Sequence, residues 1–157
     1  MLETCVLDEG QIMTANTPLA HSPLWPMDIA LGMAQRALRC GEVPVGAVLV
    51  LDQCVVARSH NRMMALGLPF AHAEMIVLIH GMKKLGTRYL SNCHLYVTLE
   101  PCALCMQALI LARIGRVYFG AYDTSITLQA GFESIGGVQE RACAGILNAF
   151  FHNQRQK

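Results

Sequence analysis

The segment PFAHAEMIVL, residues 69–78, carries a histidine and a glutamate two places apart at the head of an apolar stretch. A buried helix would ordinarily exclude both His72 and Glu74. Further along, LEPCALC ends in Cys102 and Cys105, three apart and therefore on one face of a first helical turn. Two thiolates and one imidazole are three ligands of a tetrahedral zinc ion. The fourth position then stays open, as in a catalytic site rather than a closed structural one. An ion held this way lowers the pKa of a bound water toward neutrality and makes it a nucleophile. A carboxylate beside it that is not itself a ligand, here Glu74, could move the protons.

Taken singly, each residue has an ordinary reading. His72 could be a satisfied core or surface histidine. Glu74 could be a first-turn acid favoured by the helix dipole. Cys102 and Cys105 could be a redox pair. The redox reading leaves His72 and Glu74 unexplained, whereas H-A-E followed by P-C-x-x-C is the general signature of zinc deaminases.

The flanking sequence supplies elements to position these groups. Residues 1–25 have no sustained period and carry Pro18 and Pro23, which reads as a tail, with a single domain over 26–157. Met27, Ala30, Leu31, Ala34, Ala37 and Leu38 share one helical face ending near Gly41. Residues 43–51 and 54–59 read as β-branched strands turning through Asp52-Gln53. A loop with Gly67 and Pro69 precedes a helix from His72 to about Lys84. Residues 93–99 form a third strand, and Pro101 opens an almost wholly apolar helix. A fourth strand over 115–122, a short fifth near 132–138 and a helix over 139–153 complete the chain. Alternating strands and helices imply a layered α/β sheet.

Composition sets the outer bounds. The 157 residues are 54% hydrophobic and 15% charged, with net charge +1, which describes a compact globular chain. No apolar run reaches the roughly 18 residues that span a bilayer. The N-terminus lacks a basic region followed by an apolar one, so no secretory signal and a cytoplasmic location are expected. An odd count of seven cysteines then points to reduced thiols, five of them small apolar residues. The near-neutral charge leaves a nucleic-acid partner to be decided by local basic residues.

Beyond the signature, EVPVGAVLV, AHAEM, LYVTLEPCALCM and RIGRVYFGAYD resemble the bacterial tRNA-specific adenosine deaminase family in order and spacing. The resemblance runs from about Trp25 to ILNAFF near the C-terminus. It implies a cytidine-deaminase-like α/β/α fold with a mixed, five-stranded sheet, usually as a homodimer. It implies hydrolysis of adenosine to inosine at the wobble position of a tRNA anticodon loop, with one zinc ion per chain. Carried across residue by residue, His72, Cys102 and Cys105 hold zinc, and Glu74 shuttles protons. The Ala73 amide and Asn61 contact the flipped base, and Asp123 and Phe151 touch the anticodon. The segment TSITLQAGFESIGG after Asp123 is shorter than the family's, and the C-terminus is only moderately basic. Two alternatives follow: a deaminase of free nucleobases or nucleosides, and a non-catalytic zinc-binding subunit of a deaminase pair.

Overall fold

The computed structural model describes residues 25–123 and 131–155. The expected N-terminal tail, Lys157 and the first half of the shortened segment after Asp123 lie outside the described residues. Helix α1, Trp25–Arg39, starts two residues before the first periodic residue, because Pro26 needs no N–H in a first turn. Strand β1, Gly46–Leu51, and strand β2, Cys54–His60, form the expected antiparallel hairpin. Asp52 and Gln53 both take positive φ, the geometry a two-residue hairpin turn demands. β1 begins later than its apolar run, since Pro44 has no N–H and the Val45 N–H is spent on Val43 O at 2.8 Å.

Where the sequence reads as a loop, one helical turn forms. Helix α2, Met63–Leu66, closes at Gly67, whose left-handed φ of 62° returns its N–H to the carbonyls of Met63 and Met64. Helix α3, Ala73–Leu85, strand β3, His94–Leu99, and helix α4, Ala103–Leu111, follow in the expected order. Strand β4, Arg116–Ala121, strand β5, Glu133–Ile135, and helix α5, Glu140–Gln154, end the described chain.

The sheet runs β2-β1-β3-β4-β5. β1 is antiparallel to both β2 and β3, while β3, β4 and β5 are mutually parallel, so the sheet is mixed. α1 and α5 cover one face and α3 the other, giving the expected three layers. Gly46 shows how close the first layer lies. A Cβ there would run into the Ala30 carbonyl of α1. The core is aliphatic, with Leu49, Leu95, Val97, Leu109 and Val117 fully buried between the layers.

The cysteines depart in part from the expectation of five small apolar residues. Cys93 and Cys143 are buried free thiols, but Cys54 is exposed. Cys40 is partly exposed in the turn after α1.

Candidate metal centre

Topology brings one edge of the sheet together. The first residue of β1, Gly46, donates its N–H to Thr98 Oγ1 of β3 at 3.1 Å and pairs across to His60 at the end of β2. The ends of β3 and β4 meet at Leu99 and Ala121. Glu100, next in the chain, locks this edge: its N–H donates to Ala121 O at 2.9 Å, and its Oε2 accepts the Asp123 N–H at 3.0 Å. Both site helices begin here, at the carboxyl ends of the parallel strands, where open α/β sheets place their ligands.

His72 and Cys102 occupy equivalent positions. Each is the cap residue before its helix, with extended backbone (φ −72°, ψ 155° and φ −66°, ψ 170°), and neither side chain caps its helix. Their carbonyls start the first turns, accepting the N–H groups of Ile76 at 3.2 Å and Met106 at 2.8 Å. Ser, Thr, Asp or Asn at a cap would add about 1 kcal/mol. Both helices forgo this, and the two freed side chains converge. Pro101 accordingly stands just before the cap and not within the helix.

His72 Nδ1 lies 3.5 Å from Cys102 Sγ and 3.4 Å from Cys105 Sγ. All three candidate donor atoms lie within 4.8 Å of one another. A tetrahedral zinc with Zn–S of about 2.3 Å and Zn–N of about 2.0–2.1 Å sets sulfur and nitrogen about 3.5 Å apart, so the spacing fits the edge of such a shell. Electrostatics point the same way. Burial, then the neighbouring Glu74 and Cys102, push the Cys105 thiol well above its ordinary range. Acidic groups crowded in a dry site call for a cation.

Glu74 is 4% exposed in the first turn of α3, with its carboxyl against the Cys105 thiol. Burial raises its pKa, opposed by a hydrogen bond to its own backbone and by His72. Among the described residues, His72, Cys102 and Cys105 are the one cluster able to hold a metal, with no fourth protein donor.

The remaining expected contacts divide. Ala73 is fully buried between His72 and Glu74, and no described residue accepts its N–H, one of the donors a helix start leaves over. Asn61 is 4% exposed, and its side-chain amide bonds to no described residue. It is drawn to His72 through the next residues, as the Arg62 N–H donates to Ala71 O at 2.9 Å. Asp123 sits on the same edge through Glu100. Phe151 is different: it is half-exposed on α5, edge-on to Phe150 at 5.3 Å, with no contact that joins it to the cluster. Glu42 and Glu100 are the structural residues that sequence reasoning missed. An isolated acid in the otherwise apolar run VPVGAVLVL's lead-in was the available signal for Glu42.

Residues 22–121 match the cytidine and deoxycytidylate deaminase zinc-binding region. The chain belongs to this family. It is 40% identical over 144 residues to the tRNA-specific adenosine deaminase of Bacillus subtilis, covering 83% of this chain and 89% of that one. A structure solved in work on A-to-I editing by tRNA:A34 deaminases superposes with a TM-score of 0.73 at 40% identity, over 78% of this chain and 99% of the other. Guanine deaminase from B. subtilis is more distant, at 27% identity and a TM-score of 0.62, over 85% and 76% of the two chains. Membership in a zinc-binding family agrees with the donor set, which suits one zinc ion.

Proposed function

We propose that this chain is a zinc-dependent hydrolase that converts adenosine to inosine at the wobble position of tRNA. The observation that carries the chemistry is a buried Glu74 set against three metal donors, with no fourth donor among the described residues. A structural zinc would be closed by a fourth protein ligand. The higher identity to tRNA-specific adenosine deaminases than to guanine deaminase supports the substrate.

His72 Nδ1, Cys102 Sγ and Cys105 Sγ would hold the ion, which when bound acidifies a water for attack at neutral pH. Glu74 would take one proton from the attacking water and deliver it to the ring nitrogen as the C6–O bond forms. It would then take the remaining proton from the new C6 hydroxyl and pass it to the amino group, whose C6–N bond breaks to release ammonia, so adenosine and water give inosine and ammonia. The Ala73 N–H and the Asn61 amide are free to orient the base. A tRNA loop offers a base already unpaired, which lowers the cost of bringing it into a buried site.

Asp123, on the site's edge, and Phe151 are proposed contacts to the anticodon. Arg155, Lys157 and Arg62 are the candidate phosphate partners, with Lys157 outside the described residues. Phosphate binding releases counterions, so apparent affinity for an anticodon stem-loop should fall steeply between low and moderate salt. Turnover of a free base should be nearly insensitive. Asp123→Ala should impair the stem-loop reaction and leave any free-base reaction unchanged. Inosine formation on a stem-loop, measured beside guanine, cytosine and adenosine across salt, checks this. Efficient guanine turnover with an untouched stem-loop at low salt would replace the tRNA reading with the free-base one.

The same reading includes a homodimer. α4 buries Cys105, Met106 and Leu109 but leaves Leu104, Ile110 and Leu111 exposed, Leu111 by 77%. Contiguous apolar surface of this kind marks an interface. Leu111→Glu should shift the protein from dimer to monomer in sedimentation at micromolar concentration. A wild-type monomer would overturn it. No described helix is long and apolar enough to cross a membrane. A tRNA substrate places the reaction where tRNA is held, the cytoplasm.

A further inference from the structure

Glu42 lies between α1 and β1, away from the metal donors in sequence, and is 1% exposed. A carboxylate so deeply buried must find donors. It finds them more than twenty residues downstream: Oε2 accepts the Met64 N–H at 3.1 Å and Oε1 the Ala65 N–H at 2.8 Å. These are first-turn groups of α2 that the helix itself cannot satisfy, and the local cap residue, Arg62, supplies no side-chain bond. Glu42 is thus a cap supplied from a distance.

The segment it holds has little else to fix it. Residues 63–70 bond to one another, and Met64, Leu66, Leu68 and Phe70 are exposed rather than packed in the core. Among the described residues, Glu42 is the one side chain that donates or accepts a hydrogen bond to this segment from outside it. The two ends of the segment are chemically important. One is Asn61, whose N–H is tied to Val45 O at 3.0 Å. The other is Ala71, which leads directly into His72, and the Arg62–Ala71 bond joins the two ends.

We infer that Glu42 is a positioning residue: by clamping α2 it sets the Asn61 amide against His72 and so defines the wall of the base pocket. This rests on the reading above that a base docks between Asn61 and Glu74. Glu42 touches no reacting atom, and the metal donors are held by α3 and α4. Its loss should therefore weaken base binding while sparing metal and chemistry.

Glu42→Gln preserves volume and one acceptor oxygen but turns an NH2 group toward the other N–H. Paired with Asn61→Ala, singly and together, it separates the possibilities. Glu42→Gln should keep wild-type zinc content and a thermal midpoint within about 4 °C. Amide exchange at Met64 and Ala65 should accelerate about tenfold, and KM for the stem-loop should rise about tenfold, both the factor of one lost hydrogen bond. Its kcat should change by less than about threefold, as removal of uniform binding requires. In the double variant KM should match that of Asn61→Ala, since Glu42 acts through Asn61. Unchanged exchange rates would overturn the clamp. Faster exchange with unchanged KM, or fully additive effects in the double variant, would overturn the link to Asn61. Wild-type protein that ignores the stem-loop would instead sink the substrate assignment, and the exchange rates would still decide the clamp.

Discussion

Glu74→Ala retains zinc and fold and loses turnover by about 10³-fold to 10⁴-fold or more, the upper range for general acid–base catalysis. One carboxyl serves both transfers, from the water and to the departing ammonia, so no single step escapes the loss. The side chain is buried against Cys105 and makes no salt bridge among the described residues. Removing a buried carboxyl relieves a desolvation cost, so the thermal midpoint should stay level or rise. Glu74→Gln should fail equally in turnover, because shape and hydrogen bonding survive while proton transfer does not. Single-turnover inosine formation with zinc measured on the same sample checks both variants. A Glu74 variant with a third of wild-type activity would remove the residue from the mechanism.

Cys102→Ala should lose the metal. It deletes one of three protein donors, and changes merely behind a ligand already weaken metal sites by about 10–100-fold, so the loss here should exceed about 100-fold. Stability should fall with it, for a physical reason visible in the fold. The starts of α3 and α4 meet through the side chains of their cap residues, His72 and Cys102, and through Cys105. A bound ion would clip together two helix ends whose cap residues make no side-chain cap bond. Chelator should therefore lower the thermal midpoint of the wild type to that of Cys102→Ala and leave the variant itself unaffected. Zinc analysis with a melting curve, each with and without chelator, tests this. Full zinc occupancy in Cys102→Ala would show that the donor set is wrong.

The chemistry was legible early because it is written in short spacings. Histidine and glutamate two apart, and cysteines three apart behind a proline, constrain donor geometry within a single helical turn. The hairpin at Asp52-Gln53 was legible for a similar reason, since two flanking β-branched runs leave only two residues to turn. Helix limits were missed by a residue or two where a proline could be accommodated, at Pro26 and Pro101. The α2 turn was missed because Gly67 and Pro69 signal a break without saying whether a single turn precedes it.

Residue types and local periods therefore determined the donor set, the acid beside it and the sequence of helices and strands. Tertiary structure alone decided the strand order β2-β1-β3-β4-β5, which brings the ends of β2, β3 and β4 to one edge. It also decided that His72 and Cys102 stand as twin caps facing each other through Nδ1 and Sγ, and that Cys54 is exposed. Glu42 is the plainest case. Nothing near residue 42 in sequence requires a carboxylate; its reason is a pair of N–H groups at Met64 and Ala65. Propensity and period act over about one turn of helix or a few residues of strand. A hydrogen bond across more than twenty residues exists only once packing has brought its ends together.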